Sequence, residues 1–533
     1  MKKIFVYFAT ILLGLSACSK DFLETTSTSD VDEAIMFLNT DNALKAINGI
    51  HRLMYEAAAA TGTSTSWYGQ GGYQTFILNL AMMSDDVVYT KTNPVFQTAA
   101  TWSMHRTLAD KDLVYNYSFF YRVIGNANKI IINIDEAEGP ITEKEEIKGQ
   151  ALVYRAFSHF NLVQCFGERY RPGESNNQLG VIIKTDNSLE NLPRATVEEV
   201  YAQINADLDE AISLLDRAHI KRANKSHISV HVARGIKARV MLAQGRWQEA
   251  ATYADQVIAQ SGAALQADTY TTSNQRMSDI NNTEWLWGKY ALQDQAGTLR
   301  DWHSFISNMN VSYNRNTPRV MFNKLYDKIS ETDVRKNLWF PRAQDPQTLP
   351  RPIIPPAGNI RNYMSNKWLL TNDTDKCADL AYMRLPEMIL IKAEALARLG
   401  RDAEAAAALY PLAKHRDNAY TQSAKTGAEL IEEIMTQRRI ELWAEGFRWF
   451  DLKRLNLPLD RGPKPGTGYD QGGWSNSNAM PTNVDPEASN YNMYDEQGMG
   501  EVNRYREPSD KTWQWLFPQA EISANSLIVQ NPL

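Results

Sequence analysis

Residues 437–455 read QRRIELWAEGFRWFDLKRL, and this stretch decides the fold. Its largest apolar side chains recur every three or four positions, as they do on one face of a helix: Ile440, Trp443, Phe447 and Phe450. Leu442 and Trp449 lie off that face, so apolar bulk occurs on more than one side. We therefore expect a helix over this stretch that is enclosed by neighbouring elements.

Charged residues of the same stretch keep the helical spacing on the opposite side. Arg438 precedes Glu441 by three positions, and Glu445 precedes Arg448 by three, which predicts two i,i+3 ion pairs. Because buried charges persist only when they are paired, both glutamates are expected to be structural. The alternative is a carboxylate pair of the glycosidase type. Neighbouring guanidinium groups lower the pKa of a carboxyl, however, so neither glutamate is expected to donate a proton.

Within residues 438–452 the chain has, in order, Arg-Arg, Glu-Leu, Glu-Gly and Arg-Trp-Phe-Asp-Leu. This order closely resembles the helix signature of the SusD-like, or RagB, family of outer-membrane nutrient-binding lipoproteins. One departure is Gln437, where the family usually has glutamate, and it removes one charge. Similar family patterns occur at residues 121–131, 155–167 and 192–201, and in the closing segment at residues 517–532.

This resemblance implies a function in capture and delivery, without breaking a bond and without a cofactor. The implied ligand is an oligosaccharide, and the implied partner is a SusC-like TonB-dependent outer-membrane transporter on which the protein sits as a lid. Two alternatives from other classes are a RagB-like peptide receptor, which shares the scaffold, and a glycoside hydrolase that uses Glu441 and Glu445.

The first 17 residues have the order of a secretory signal peptide: two lysines, an apolar run over residues 4–15, and small residues. The apolar run is too short to cross a hydrocarbon core of ~30 Å, which takes about 20 helical residues. Its end, Leu-Ser-Ala-Cys, resembles a bacterial lipobox, which implies that Cys18 becomes the lipidated first residue. Several acyl chains hold a protein firmly to a membrane. The expected location is the cell-surface side of the outer membrane, through this lipid anchor.

Composition excludes several other classes of function. The 533 residues are 43% hydrophobic and carry a formal net charge of −6, with no basic cluster that could neutralise phosphates, so no nucleic acid is expected. Cys165 and Cys377 have no zinc-type spacing. His227 and His231 stand four positions apart and could clamp a metal ion, but no third ligand is evident nearby, so no metal is expected.

Two segments, residues 238–250 and 393–405, share a pattern in which an alanine is followed seven positions later by Gly-Arg-x-x-Glu-Ala. This pattern is typical of tetratricopeptide helical hairpins, although the copies are far more than ~34 residues apart. We expect the two hairpins to meet in space. A plainer local signal is the capping box of Thr196 and Glu199, which predicts a helix from Val197.

The predicted fold is mostly α, with tetratricopeptide-like hairpins forming a scaffold, an irregular loop-rich ligand-binding face and a few short strands. After the signal peptide (residues 1–17) we expect a single body over residues 18–533. The scaffold is expected at about residues 30–260 and 382–456, and the loop-rich excursions at about residues 61–74, 262–381 and 457–515.

The loop-rich excursions and their surroundings contain aromatic residues among asparagine, aspartate, threonine and glycine. Sugars present flat C–H faces and a rim of hydroxyls, so exposed aromatic rings flanked by polar groups are suited to bind them. The candidate glycan-binding residues are Trp67, Tyr68, Tyr73, Trp102, Trp302 and Tyr313. For each of them the competing interpretation is ordinary packing, and spacing alone does not decide between the two.

Overall fold

Helices dominate the structure, which is a computed structural model, and this confirms the mostly α fold class. The structure describes residues 33–55, 71–89, 95–266, 276–292, 301–307, 319–339, 363, 365–368, 378–461 and 505–533. The predicted lipid anchor Cys18 and the candidate ligand residues Trp67, Tyr68 and Tyr313 lie outside these residues.

In chain order the helices of the described residues are α1 (Glu33–Met36), α2 (Thr40–Leu53), α3 (Tyr73–Met82), α4 (Gln97–Ala100), α5 (Lys111–Asn133), α6 (Ile141–Phe166), α7 (Val197–Ala218), α8 (Val230–Ala243), α9 (Trp247–Gln260), α10 (Trp302–Ile306), α11 (Asn323–Tyr326), α12 (Leu385–Arg398), α13 (Asp402–Arg416), α14 (Gly427–Glu441), α15 (Phe447–Arg454) and α16 (Gln519–Ala524). The strands are β1 (Val87–Tyr89), β2 (Trp285–Lys289), β3 (Arg319–Met321), β4 (Leu380–Arg384), β5 (Leu459–Asp460) and β6 (Tyr505–Arg506). They form three antiparallel pairs, β1 with β3, β2 with β4, and β5 with β6.

The long helices α5, α6 and α7 pack side by side, and α6 is buried along most of its length. Helix α7 begins as the sequence predicts. The Glu199 amide donates to Thr196 Oγ1 at 3.2 Å, and the Thr196 amide donates to Glu199 Oε2 at 2.8 Å. This reciprocal pair satisfies two amides that the first turn of the helix would otherwise leave without partners.

The two repeated segments each form a helical hairpin, α8–α9 and α12–α13. Gly245 and Gly400 occupy the turns with φ of 69° and 73°, a conformation that glycine adopts without strain. Helix α9 packs against α12, and Arg401 Nη1 donates to Gln248 Oε1 across the hairpins at 3.2 Å. The two segments therefore meet in space as predicted, which is consistent with tetratricopeptide-like stacking.

The stretch 437–455 is two helices rather than one, which corrects the sequence-based expectation. Helix α14 ends at Glu441 and α15 begins at Phe447. Between them Ala444 and Gly446 have positive φ values of 61° and 86°, so the chain turns sharply. Trp443 and Trp449 are both buried. A straight helix with apolar residues on two sides could bury both of them only if neighbouring elements covered it all round, and the turn removes that requirement.

The predicted ion pairs within this stretch are also wrong. Arg438 Nε donates to Asp451 Oδ2 at 2.7 Å, and Arg448 Nε donates to Asp85 Oδ1 at 2.7 Å. The turn after Glu441 breaks the helical register on which the i,i+3 pairing of Glu445 with Arg448 depended. Both arginines therefore stabilise contacts between elements rather than within one helix.

None of the helices in the described residues combines the length and the apolar character that crossing a membrane requires.

Candidate functional site

Described residues lie at or near the ends of the loop-rich segments that were predicted to bind ligand, and several of these stems lie together. Strands β1 and β3 pair with Val88 opposite Val320. Arg319 Nη2 donates to the carbonyl oxygen of Val95 at 2.8 Å. The rings of Phe96 and Phe305 lie 5.0 Å apart, edge to face. These contacts bring the chain near residues 89, 95, 307 and 319 to one place.

A second junction joins the stem of the loop after α2 to strand β4. The carbonyl oxygen of Met54 accepts hydrogen bonds from the Tyr73 amide at 2.9 Å and from the Tyr382 hydroxyl at 3.0 Å. Strand β4 in turn pairs with β2, with Leu380 opposite Lys289. Three segments that are distant in sequence are thus held by the same strand pair.

Four buried tryptophans lie beneath these stems. The rings of Trp302 and Trp368 are 5.4 Å apart, those of Trp368 and Trp443 are 5.9 Å apart, and those of Trp339 and Trp443 are 5.7 Å apart. All four side chains are almost completely buried. Edge-to-face aromatic contacts add to the stabilisation that burial itself supplies. We call Trp302, Trp339, Trp368 and Trp443 the tryptophan cluster.

Three candidate ligand residues are core residues, which corrects the expectation that their rings are exposed. Trp302 is 0% exposed, Trp102 is 2% and Tyr73 is 7%. The Trp102 indole nitrogen donates to the carbonyl oxygen of Met83 at 2.9 Å, so the polar group of this buried ring is satisfied within the fold. Asp301, the polar residue beside Trp302, caps α10 by accepting a hydrogen bond from the amide of His303. Its polar group therefore serves the fold.

The other three candidates are not described by the structure. Trp67, Tyr68 and Tyr313 lie outside the described residues, so their role in ligand binding stays a prediction.

The two glutamates of the deciding stretch bind several cations beside the tryptophan cluster. Glu441 accepts hydrogen bonds from Arg335 Nη1 at 3.1 Å, Arg384 Nη1 at 3.0 Å and Arg416 Nε at 3.2 Å. Glu284 binds Arg416 Nη2 at 2.8 Å and so joins the same group. All five side chains are buried. We call them the charged network.

Glu445 extends the charged network toward the tryptophan cluster. It accepts from Arg384 Nη2 at 2.7 Å and from Lys367 Nζ at 2.6 Å. Lys367 also donates to the carbonyl oxygens of Glu441 and Trp443, and its ammonium group lies 4.8 Å from the Trp368 ring centre. Charge pairing and aromatic packing therefore stabilise the same junction.

Both carboxyl groups are held in the ionised form. Burial alone would raise the pKa of Glu441, but Arg416, Arg384 and Arg335 outweigh it and hold that pKa well below its usual value. Burial likewise acts to raise the pKa of Glu445, and its paired cations lower it overall. This confirms the direction that the sequence predicts, although the arginines differ from those expected. A buried, ionised carboxylate cannot supply the proton that a glycosidic oxygen needs.

The histidine pair considered as a metal clamp does not have helical i,i+4 geometry. His227 precedes α8, which begins at Val230, and its ring stacks on His51 at 4.4 Å. Across the part of the chain that the structure describes, no group of three or more histidine, cysteine, aspartate or glutamate side chains is arranged to hold a metal ion.

One exposed aromatic residue at the stems was missed in the sequence. Tyr290 follows β2 directly and is exposed, as is Leu292 two positions later. The end of the predicted strand could have indicated Tyr290, because the first residue after a buried strand lies at the start of a loop. Trp285 and Trp287 in the strand are buried.

Comparison with known proteins identifies the family. A family model described as the SusD family matches residues 350–533, and a second, described as starch-binding associating with outer membrane, matches residues 21–242. The chain belongs to the SusD-like family. Its deciding stretch and its C-terminal segment both fall within the first match.

Individual SusD-like proteins resemble the chain over most of its length. SusD-like protein P2 of Formosa agariphila is 24% identical over 496 residues, which cover 86% of this chain and 91% of that protein. A crystal structure of a SusD-like carbohydrate binding protein from Bacteroides vulgatus is 24% identical, with a TM-score of 0.74 over 92% of this chain and 98% of that one. A laminarin binding SusD-like protein is 19% identical, with a TM-score of 0.61, and covers 93% and 99%. These structural likenesses establish the fold.

Proposed function

We propose that this SusD-like protein captures oligosaccharides at the cell surface and delivers them to a SusC-like TonB-dependent transporter. Two findings support the ligand class: one matching family is described as starch-binding, and one structural relative is described as laminarin binding. The transporter would supply the energy for uptake, and this chain would supply capture.

The observation that carries the proposal is the meeting of the loop stems over a rigid base. Binding loops act best when a fixed scaffold positions them, since disorder in the loop must be overcome on binding. The strand pair of β2 and β4, the charged network and the tryptophan cluster together form such a scaffold. The candidate residues Trp67, Tyr68 and Tyr313 belong to segments that leave this region.

In this proposal the protein is not an enzyme. Glu441 and Glu445, the carboxylates considered for a hydrolase, are ionised and paired with cations, so they lack a proton to give. Glu441 is also fully buried, and the Glu445 side chain is only 8% exposed. Release of reducing sugar from a glycan by the purified wild-type protein, lost in Glu441→Gln, would overturn this statement.

Membrane attachment is proposed through the lipidated Cys18, on the outer face of the outer membrane. Fourteen residues lie between Cys18 and Glu33, the first described residue. Such a tether spans at most about 50 Å when extended, so the body would remain close to the membrane and to a transporter in it. The body itself is proposed to be one unit over residues 18–533.

The test is calorimetric titration of the mature chain, kept unlipidated by Cys18→Ser, with a panel of glycans and a panel of peptides. Glycan binding is expected, and Trp67→Ala and Tyr313→Ala should each weaken it by about 1–3 kcal/mol, the range for a lost aromatic contact. Tyr410→Ala, on the scaffold helix α13, is the matched control and should leave affinity unchanged.

The possible results separate the alternatives. Unchanged affinity in both variants would remove those two residues from the site. Binding of peptides with no binding of glycans would establish the RagB-like alternative in place of the proposal.

A further inference from the structure

A groove with a volume of about 570 Å³ lies between the N-terminal helices α1 and α2 and the long helix α5. Its apolar lining consists of Ile35, Met36, Phe37, Ala46, Leu53 and Ile130. Ile35 is 56% exposed, and Met36, Ala46 and Leu53 are half-buried. Exposed apolar surface in a concave place marks a site of contact with another chain segment or a ligand.

Gly49 keeps this groove open. It lies inside helix α2, where alanine is the more stable residue, and it lines the groove. A Cβ placed at this position would meet no atom of the described residues within 4 Å. The glycine therefore leaves free a space into which a side chain of a bound segment could enter.

The rim of the groove is basic. Lys45, Arg122 and Lys129 line it together with one carboxylate, Glu33, so its charged side chains have a net charge of +2. Lys129 Nζ lies 3.4 Å from Glu33 Oε2. Lys45 Nζ donates to the neutral Asn42 side chain at 2.9 Å. The groove thus suits an occupant that combines apolar side chains with negative charge.

The segment that precedes the groove in the sequence has this composition. Residues 19–32, SKDFLETTSTSDVD, lie outside the described residues. They carry four carboxylates and one lysine, so their net charge is −3, and they contain the adjacent large apolar residues Phe22 and Leu23. Opposite charges on two surfaces favour their association and select the correct partner.

Covalent connection favours this segment over a separate partner. Glu33 follows residue 32 directly and lines the groove, and Asn133 Nδ2 on α5 donates to Glu33 Oε1 at 3.2 Å. Phe22 lies eleven positions before Glu33. Such a connection spans up to about 40 Å, so Phe22 can reach the groove. Its effective concentration there is of millimolar order, at which even a weak contact stays formed.

We propose that the groove binds residues 19–32 of its own chain, with Phe22 and Leu23 against the apolar lining and the carboxylates beside Lys45 and Arg122. The consequence for orientation rests on the proposed membrane attachment. With Phe22 in the groove, the lipidated Cys18 lies within about 15 Å of it, because four residues span no more than that. The docked segment would thus hold the face formed by α1, α2 and α5 toward the membrane.

Proteolysis by chymotrypsin tests the docking, because the bond after Phe22 is cut only while that residue is out of the groove. The experiment uses the mature Cys18→Ser chain and follows, by mass spectrometry, the initial release of the N-terminal peptide that ends at Phe22. Gly49→Leu fills the groove and should speed this cut about tenfold, since it releases a segment that is otherwise mostly bound. Asn48→Leu is the matched control. It places the same side chain at the preceding, exposed position of α2, outside the groove lining, and should leave the rate unchanged.

Arg122→Glu tests the contribution of charge. Reversal of this exposed charge should speed the cut, and so should raising the salt concentration from about 0.05 M to about 0.5 M, because salt screens exposed charges. Salt should have little effect on the cut in Gly49→Leu, whose segment is already released. The melting temperature of each variant checks that it is folded.

The outcomes separate this docking from the other proposals. Equal rates in the wild type and Gly49→Leu, or equal acceleration by Gly49→Leu and Asn48→Leu, would overturn the docking. A wild-type rate that falls as the protein concentration rises would place the segment in the groove of a second copy, which contradicts docking within one chain. The experiment contains neither lipid nor glycan, so the proposed attachment and the proposed glycan capture can each fail while the docking stands.

Discussion

At the scale of single residues, the side chains beneath the loop stems stabilise the protein by being fully enclosed. Trp302 lies in the tryptophan cluster, and the residue before it, Asp301, caps α10 and pairs with Lys289. A large ring in a closed environment contributes through the apolar area that it removes from water and through its packing contacts.

Trp302→Ala is therefore expected to act on stability. Removing a buried aromatic side chain leaves a cavity and costs about 3–5 kcal/mol of the free energy of unfolding. Urea-induced unfolding followed by circular dichroism measures this loss. Tyr505→Ala, at an exposed position, is the control and should change the midpoint little. Equal midpoints for Trp302→Ala and the wild type would contradict the burial of this ring.

His105 makes stability depend on pH. Its Nε2 lies 2.8 Å from the carbonyl oxygen of Thr512, which can only accept, so Nε2 carries the proton and a second proton would go to Nδ1. Nδ1 is buried and has no hydrogen-bond partner among the described residues. Burial is the main cause that lowers the pKa of His105 to about 3; the hydrogen bond to Thr512 opposes it, and Arg106 adds to it.

The sign of the pH effect follows from this lowered pKa. Unfolded chains bind a proton at histidine below about pH 6.5, whereas folded His105 does not until about pH 3. The free energy of unfolding should fall as the pH is lowered through this interval, by up to about 1.4 kcal/mol per unit from this residue. His105→Gln should show a shallower slope between pH 6 and pH 4, measured by urea unfolding. Between pH 7 and pH 8 the slopes of the two proteins should agree, and identical slopes at low pH would contradict the assignment.

At the scale of elements, the turn between α14 and α15 sets the direction of the charged and aromatic side chains. Gly446 is the N-cap of α15 and has a φ of 86°, and a Cβ placed there would lie 3.2 Å from Ile77 Cγ2 on α3. The turn is thus constrained both by its backbone conformation and by close packing against another helix.

Gly446→Ala should destabilise the protein by about 1–2 kcal/mol from the left-handed backbone alone, and by more because Ile77 must move. Gly400→Ala is the matched control, since Gly400 also has positive φ but faces open space. The difference in melting temperature between the two variants measures the packing contribution. A Gly446→Ala protein as stable as Gly400→Ala would show that Ile77 exerts no constraint.

Elements that depend on local spacing could be predicted from the sequence, but the turn between α14 and α15 could not. Thr196 and Glu199 are three residues apart, and the capping box forms as predicted. In residues 437–455 the apolar spacing continues across Ala444 and Gly446, so periodicity favoured a single helix. Burial of Trp443 and Trp449 against different neighbours decided the break, and those neighbours come from distant parts of the chain.

The same dependence on distant neighbours explains why Trp302 and Trp102 were expected to be exposed ligand-binding residues. Aromatic residues among polar ones indicated exposed rings, but the composition around Trp302 and Trp102 does not show whether the polar groups face a ligand or a helix end. Contacts between distant residues also surround Tyr290: Asp379 lies 88 positions from Ala291 in the sequence, yet it accepts a hydrogen bond from the amide of Ala291, the residue after Tyr290.

At the scale of the whole molecule, the proposed role depends on attachment to the membrane. Cys18→Ser removes the thiol that would carry the acyl chains, and it should move the protein from the membrane fraction to the soluble fraction of the producing cells. Immunoblotting of separated fractions measures this distribution.

Cys165→Ser is the control for that experiment. Cys165 is buried within α6 and cannot be lipidated in the folded protein, so this variant should stay with the membrane. A Cys18→Ser protein that remains entirely in the membrane fraction would contradict the proposed anchor.

The charged network has a consequence for the timing of folding. It joins Glu284 to Arg384 across 100 positions and Arg335 to Glu441 across 106. A chain that ends before α14 would leave Arg335, Arg384 and Arg416 with too few negative charges to be buried together. Contacts of such wide separation form slowly, because long loops must close first. The protein therefore reaches its native state only after the last third of its chain has been synthesised. Until then its apolar surface needs protection from aggregation.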